Sequence, residues 1–390
     1  MQSFLGFIFG NLLSSYFPKI MYRQESAVSN APLANAWAKC LLVLELLFRR
    51  FDSRRWLFAL RKKHCLQIQQ RCISSAETQS LPVPEISAAD ISPSKFYQIT
   101  NGLTSPVVVK GFLRDSDACK KWGLSYFHKQ LGESVYPAIK NARQEKSETK
   151  ENKVELIKVR DLLDGISREE HTYLNNVTQI FADNPFLIEE LQLGKLASLI
   201  DTEVANGDRF DLINMFLGGK GTGNSLHCAF AGNFFCNIVG RKKWLLIAPE
   251  YSTFLCPIPA NPFIYADCYY NPEDEILGQK TSNLPKLEVI LEPGDVLFNA
   301  PWWWHSVENL DELTVGCAVR QLNFQADFHN NFLFTMFSYQ PLLHLWKSLF
   351  NMKRKLTKEQ RIFRDIMLSE LDSKIIEGRL GVKESSEKHF

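Results

Sequence analysis

The chain has 390 residues, 45% of them hydrophobic and 23% charged, with a formal net charge of +2 at pH 7. Collagen-like and strongly disordered chains are excluded by this composition, which is that of an ordinary globular protein. No global attraction to nucleic acid is indicated, because the net charge is close to zero. The nine cysteines are scattered and never stand in CxxC spacing. They are predicted to be reduced thiols in the cytoplasm, and a zinc ribbon is not expected.

Residues 1–73 are predicted to form a helical N-terminal segment. Within it, residues 37–60 combine leucine and aromatic residues with two pairs of neighbouring arginines. Such a basic amphipathic helix can lie in a membrane interface, or it can pack on the protein with its basic face in solvent. Both interpretations stay open, so the chain is expected in the cytoplasm with or without peripheral contact to a membrane.

The middle of the chain is predicted to be one domain, residues 95–328, preceded by a linker. Residues 74–94 are rich in Ser, Pro and Ala and show little periodicity, which is typical of a linker. Residues 106–111 (PVVVKG) form a short β-branched run that predicts a strand. Residues 117–131 and 185–199 have the apolar spacing of helices.

From Phe210 onward, short apolar runs alternate with turn residues. The runs DLINMFLG, NFFCNIVG, KKWLLIAP, EVILEPGDVLFNA and LTVGCAVRQLNF are separated by Gly, Pro, Asn and Asp. Repeated short strands of this kind predict a β-sandwich or barrel, and a double-sheet jelly roll satisfies the pattern. After residue 328 the spacing becomes helical, so residues 329–390 are predicted to be a helical segment. Its apolar stripe must be buried, either against the barrel or in a homodimer.

Two histidines stand at turn-marked ends of predicted strands. His227 ends the stretch GGKGTGNSLH, and His305 ends the stretch EPGDVLFNAPWWWH. In a barrel such positions can converge at the mouth. These stretches resemble the JmjC-like cupin family of iron(II)- and 2-oxoglutarate-dependent oxygenases, which includes the asparaginyl hydroxylase acting on hypoxia-inducible factor. The resemblance covers residues 95–328, and it implies a mainly β fold: a double-stranded β-helix, or cupin jelly roll, with flanking α-helices.

The resemblance also implies an iron site, with one departure. The family binds Fe(II) through an HxD/E…H triad of two histidines and a carboxylate, which leaves positions open for co-substrate and O₂. His227 and His305 take the histidine positions, and Ala229 stands where the family has the carboxylate. Alanine cannot bind a metal, and residues 222–240 contain no Asp or Glu. The resemblance therefore places Ala229 in the catalytic site as the residue that alters its chemistry.

The resemblance implies that the binding site for 2-oxoglutarate is better preserved. Lys242 stands where a family lysine pairs with the distal carboxylate of 2-oxoglutarate. Its neighbour Lys243 should face the other side of the strand, because side chains alternate. Asn224 stands where the family often has a hydroxylated residue that binds the same carboxylate. Asn233 matches a recurrent polar position of the pocket and Phe235 an aromatic residue that lines it, although both asparagines also suit turns.

Ala229 leaves three hypotheses open. In a radical halogenase, a chloride ion takes the position of the carboxylate, and halogen rather than hydroxyl is transferred to an aliphatic carbon. This hypothesis is favoured, because both histidines and the lysine are retained. In a noncatalytic cupin, the barrel serves binding or scaffolding. In a rewired oxygenase, water or a carboxylate from elsewhere in the chain completes the site, and Asp267 is the nearest candidate by topology.

The substrate is predicted only as a class. Aromatic residues are dense around the candidate site, and they suit either a pocket for an apolar or planar group or the packing of the barrel end: Phe263, Tyr265, Tyr269, Tyr270 and Trp302, Trp303 and Trp304. A small-molecule or lipidic substrate is therefore expected. No basic stripe or reader module indicates recognition of nucleic acid.

Overall fold

The computed structural model of the chain describes residues 32–48, 51, 55–75, 78–140, 154–197, 199, 210–260, 264–321 and 323–338. These residues belong to one of the two compact units into which the chain divides. The predicted helices beyond residue 338, and with them the predicted dimer contact, lie outside the described residues.

The secondary structure is dominated by short strands in the second half of the chain. The described strands are β1 (Leu81–Pro82), β2 (Glu85–Ser87), β3 (Val107–Lys110), β4 (Val135–Ile139), β5 (Val154–Lys158), β6 (Tyr173–Val177), β7 (Phe210–Gly218), β8 (Gly223–Ala229), β9 (Gly232–Val239), β10 (Lys242–Ile247), β11 (Pro257–Pro259), β12 (Tyr265–Cys268), β13 (Leu287–Leu291), β14 (Val296–Asn299), β15 (Trp304–Asn309) and β16 (Thr314–Gln321). The described α-helices are α1 (Pro32–Phe48), α2 (Trp56–Cys72), α3 (Pro93–Ile99), α4 (Asp117–Lys121), α5 (Leu124–Leu131), α6 (Val159–Ser167), α7 (Gln179–Asp183), α8 (Phe186–Leu191), α9 (Gly194–Ala197), α10 (Ser252–Leu255), α11 (Phe324–Asn330) and α12 (Phe332–Ser338).

The strands form two sheets that pack face to face. One sheet has the order β1-β13-β10-β15-β8-β12-β11, and the other has the order β2-β3-β14-β9-β16-β7-β6-β4-β5. The central strands pair antiparallel in both sheets. Phe235 of β9 and Trp244 of β10 place their ring centroids 4.8 Å apart, so the two sheets meet at their inner faces. The predicted fold class, a mainly β jelly roll with flanking helices, is confirmed.

Strand β9 shows why this sequence forms the centre of a sheet. All of its residues except the last are buried. Phe235 points into the barrel, while the ring of Phe234 stacks on Phe96 of α3 on the outer face, with centroids 5.6 Å apart. A strand covered on both faces is expected to be a nearly continuous apolar run, which is what NFFCNIV shows.

The N-terminal helices are fixed to the barrel by a buried arginine. Arg61 of α2 donates from Nε to Oε2 of Glu45 at 2.9 Å and from Nη2 to the carbonyl oxygen of Pro257 at 2.7 Å. Gln69 donates from Nε2 to the carbonyl oxygen of Phe254 at 2.5 Å. A buried guanidinium is costly without such partners, so these contacts hold α1, α2 and β11 in one arrangement. Of the helices in the described ranges, none is both long and apolar enough to cross a membrane.

Residues 74–94, predicted as a linker, contribute two short strands to the barrel. β1 pairs in parallel with β13, and β2 pairs in parallel with β3. Leu81 lies opposite Leu287, a residue far along the chain. The pairing is long-range, so no local pattern in the Ser- and Pro-rich sequence indicates it.

Candidate functional site

The candidate site is a row of residues across three strands of one sheet. His305 of β15 lies opposite His227 of β8, and His227 lies opposite Asp267 of β12. Directly opposed residues of antiparallel strands have neighbouring side chains on one face. All three side chains therefore share the inner face of the barrel.

The two imidazoles lie side by side, with ring centroids 4.2 Å apart. Nδ1 of His227 lies 2.8 Å from the carbonyl oxygen of Ser225, and Nδ1 of His305 lies 3.0 Å from that of Trp303. A carbonyl oxygen only accepts, so we infer that Nδ1 of His227 carries the proton and that its Nε2 keeps the lone pair. Nδ1 of His305 has an amide donor beside it as well, because Nδ2 of Asn299 lies 3.0 Å away. Trp244 stacks on His305 with centroids 5.5 Å apart and fixes the plane of that ring. This tautomer suits metal binding through Nε2.

Both histidines are held in the neutral form. Burial lowers the pKa of His227, against the opposing effects of the Ser225 carbonyl and the Asp267 carboxylate. Burial and the neighbouring His227 hold the pKa of His305 well below its usual range. The guanidinium of Arg320 on β16 lowers both further. Since a histidine must be neutral to bind a metal, both side chains are ready as ligands at physiological pH.

The residues around Ala229 determine whether His227 and His305 can gain a third metal ligand. Ala229 follows His227 by two residues, so it faces the same way, and it lies opposite Tyr265 of β12. The hydroxyl of Tyr265 donates to Oδ2 of Asp267 at 2.5 Å. Asp267 is thus beside His227 but engaged by the phenol. Across the described residues, no three metal-ligating side chains converge on one point.

The donor set fits iron in part. Two neutral imidazoles with free Nε2 atoms are suitable ligands for a divalent transition metal. Ala229 offers no donor, so a third ligand would be Asp267 after a rotation away from Tyr265, a bound anion or water.

Lys242 of β10 lies toward the other end of the inner face and is completely buried. Its ammonium donates to Oδ1 of Asn309 at 2.5 Å and to Oγ1 of Thr314 at 3.0 Å. No carboxylate of a described residue pairs with it, and burial lowers its pKa to about 7. Lys243 faces the opposite side of the sheet, as predicted, and its Nζ lies 3.4 Å from Oε2 of Glu288. The charged form of a buried lysine is costly without an anion, so this position is suited to an anionic ligand.

Asn224, Asn233 and Phe235 also lie on the inner face. Phe235 fills the space between the two sheets. Asn233 is buried, and its Oδ1 has no hydrogen-bond partner among the described residues. Asn224 lies opposite Val307, because a β-bulge after His305 shifts the register of β15 against β8. The structure therefore brings every residue predicted for the site onto one surface of the barrel.

Four polar residues of the inner face were missed by sequence reasoning: Asn299, Asn309, Thr314 and Arg320. The amide of Asn299 lies 3.0 Å from Nδ1 of His305. Arg320 lies opposite Asn233, and its guanidinium makes no hydrogen bond or ion pair with a residue that the structure describes. Burial lowers its pKa to about 10. Each of these residues is a polar residue within an otherwise apolar strand. Such a residue could have been recognised as a candidate for the site, because a buried polar group requires a hydrogen-bond partner.

Comparison with known proteins places the chain among JmjC proteins. A family model described as a Cupin-like domain matches residues 93–328. The chain is 32% identical over 131 residues to JmjC domain-containing protein D of Dictyostelium discoideum, which is 33% of this chain and 29% of that protein. It is 23% identical over 243 residues to Jumonji C domain-containing protein 5 of Drosophila melanogaster, which is 60% of this chain and 58% of that protein.

A third relative carries an enzyme name. The chain is 26% identical over 210 residues to Lysine-specific demethylase 8 of Xenopus tropicalis, which is 53% of this chain and 46% of that protein. In each of these three comparisons the chain spans less than two thirds of the length of its relative.

Proposed function

Because the chain belongs to the Cupin-like domain family of JmjC proteins, we propose that it is an iron(II)- and 2-oxoglutarate-dependent oxygenase whose third metal ligand is Asp267. One observation carries the proposal. Asp267, His227 and His305 lie in adjacent register positions on the inner face of one sheet. The carboxylate that Ala229 lacks is thus available one strand away.

The histidines and Asp267 divide the binding of the metal between them. His227 and His305 would hold iron through Nε2, while Nδ1 of each ring stays beside a backbone carbonyl oxygen, that of Ser225 or that of Trp303. Bound iron(II) supplies the activation of O₂ that this family couples to the oxidation of 2-oxoglutarate. Asp267 brings a negative charge next to His227, which offsets the positive charge that Arg320 places near both imidazoles.

Lys242 would bind the distal carboxylate of 2-oxoglutarate. Because its pKa is lowered to about 7, the side chain of Lys242 is only partly protonated at physiological pH when no ligand is bound. An anion placed against it favours the charged form and restores the pKa. Asn309 and Thr314 orient the ammonium by accepting hydrogen bonds from two of its N–H groups, which leaves the third N–H group for the ligand.

Halogenation is the competing proposal, and two observations favour it. Ala229 faces the same way as His227, and its methyl group offers no donor that would compete with a halide beside that ligand. Arg320 adds positive charge near the histidines, which suits an anion. Asp267 argues against it, because a carboxylate beside His227 repels chloride. We therefore rank a halogenase below an oxygenase that uses Asp267.

The deciding experiment is an anaerobic titration of the protein with Fe(II) and 2-oxoglutarate, followed by visible absorption, with chloride present or replaced by a non-coordinating anion. The oxygenase predicts a chloride-independent absorption band that is weakened in Asp267→Asn and retained in the control Asp164→Asn, a change at an exposed carboxylate. A band that needs chloride and survives Asp267→Asn would establish the halogenase instead. Failure of the wild-type protein to bind either compound would identify a noncatalytic cupin.

Catalysis is then followed as succinate formation after O₂ is admitted. The wild type should form succinate equally well with and without chloride. Ala229→Asp should remove any chloride dependence, because a carboxylate at this position excludes halide by charge and volume.

A further inference from the structure

We propose that the helical hairpin of α1 and α2 binds the surface of an anionic membrane. The proposal rests on an exposed apolar set, defined as Leu33, Trp37 and Phe48 of α1, Phe51 of the connection, and Trp56 and Leu60 of α2. It does not depend on the chemistry proposed for the barrel.

The exposed apolar set is large and mostly aromatic. Leu33 is 87% exposed, Phe51 74%, Trp56 64% and Trp37 51%. On α1 the members follow helical spacing: at 100° per residue, Leu33, Trp37 and Phe48 fall within about 60° of one another. Trp side chains are favoured at the boundary between water and lipid, because the indole ring is apolar while its N–H can stay in water. Phe adds apolar area to a helix that lies in this boundary.

These side chains are not the packing face of the hairpin. α1 buries Ala38, Leu41 and Leu42, and α2 buries Cys65 and Ile68. Each helix therefore already has a covered face, and the exposed apolar set lies apart from it. Several exposed apolar side chains on one hairpin are typical of a binding surface for a membrane or another protein.

Charge distinguishes a membrane from a second copy of the chain. Residues 32–72 contain nine Lys and Arg against two Asp and Glu, a net charge of +7, whereas the whole chain carries +2. Association of two hairpins would bring these like charges together. An anionic lipid surface attracts them instead, by roughly 1 kcal/mol for each basic residue near the surface, which is about fivefold in affinity.

The binding would be peripheral. The described helices include none able to cross a membrane. Arg61 and Gln69 tie α2 to Pro257 and Phe254, so the hairpin is held to the barrel rather than free to insert. Lys62 donates to the hydroxyl of Tyr269 at 3.0 Å, which adds a further link between the hairpin and the barrel.

Co-sedimentation of the full chain with vesicles tests the proposal. Vesicles of phosphatidylcholine with added phosphatidylserine should bind the protein, and vesicles of phosphatidylcholine alone should bind it much less. The double variant Trp37→Gln, Trp56→Gln should weaken binding by at least about tenfold, because it removes two interfacial aromatic anchors. The matched control is Leu156→Gln on β5, which removes a side chain that is 75% exposed but lies outside the hairpin; its binding should equal that of the wild type.

Charge is tested separately. Changing Arg55 and Lys63, two exposed basic residues of the hairpin, together to Gln should weaken binding to the anionic vesicles by about fivefold for each charge removed. Thermal melting of every variant checks that the fold is retained.

Three outcomes would overturn the proposal. The first is equal binding to both kinds of vesicle, and the second is wild-type binding by the double variant. The third is binding only after removal of residues 2–31, which would show that the N-terminal segment of the chain itself covers the exposed apolar set.

Discussion

The two ends of the barrel's inner face differ in how complete they are. At the end that carries Lys242, the ammonium is already oriented by Asn309 and Thr314 and lacks only an anion. At the end that carries His227, two ligands are ready, but the carboxylate of Asp267 is held by Tyr265. Under the proposed function, the site for the co-substrate is kept while the metal site beside it is completed from a different strand.

The largest effect is expected at the metal end. His227→Ala and His305→Ala should each abolish uptake of Fe(II), since one imidazole and one carboxylate leave too few ligands. His128→Ala should bind iron as the wild type does, because His128 lies at the surface beside Asp164. Metal content after loading and desalting decides this, and stoichiometric iron in the His227→Ala protein would refute the site.

The next largest effect is expected at the co-substrate end. Lys242→Met should remove the thermal stabilisation by 2-oxoglutarate, because breaking a buried ion pair costs about 3–5 kcal/mol. Lys243→Met is the matched control, since the neighbouring lysine faces outward to Glu288. If both variants are stabilised equally by 2-oxoglutarate, the anion binds elsewhere.

The pH dependence sharpens the same assignment. The folded pKa of Lys242 is about 7 and its ordinary value is 10.5, so the unfolded chain binds more protons between these values. Through Lys242, the free energy of unfolding of the wild type should therefore rise with pH between these two values. Lys242→Met should lack this rise. Binding of 2-oxoglutarate should behave in the opposite way, weakening above pH 7 by up to about tenfold per pH unit. Calorimetric titration at several pH values measures this, and a flat affinity profile would contradict the role of Lys242.

The smallest effect is expected at Tyr265. Tyr265→Phe removes a hydrogen bond worth about 1 kcal/mol or somewhat more to a charged acceptor, so affinity for Fe(II) should rise about fivefold as Asp267 becomes free. Tyr269→Phe serves as a control, because that hydroxyl contacts Lys62 rather than Asp267. Unchanged iron affinity in Tyr265→Phe would mean that Asp267 is not a ligand.

The strands were predictable because their signals are local. Short apolar runs between Gly, Pro and Asn turns indicated β7, β9, β10 and β16, and the alternation in β10 separated buried Lys242 from exposed Lys243. The jelly roll and its two histidines followed from these patterns together with the resemblance to a family.

Long-range pairing was not predictable in the same way. Asn224 precedes His227 by an odd number of residues, so simple alternation sends it to the outer face, and only the bulge after His305 brings it inside. The neighbour relation of Asp267 and His227 depends on the register of β12 against β8. Arg320 was missed because nothing in the sequence near it indicates the histidines on the opposite sheet.

The hydrogen bonds that Arg61 and Gln69 donate to the barrel connect the N-terminal helices to the region that the family model matches. The family match begins at residue 93, but Arg61 and Gln69 supply donors to the carbonyl oxygens of Pro257 and Phe254 deep within the match. A chain shortened to begin at that boundary would leave both oxygens without their donors, and it would also lose β1 and β2. We expect such a fragment to be insoluble, because these contacts join the N-terminal helices to the barrel.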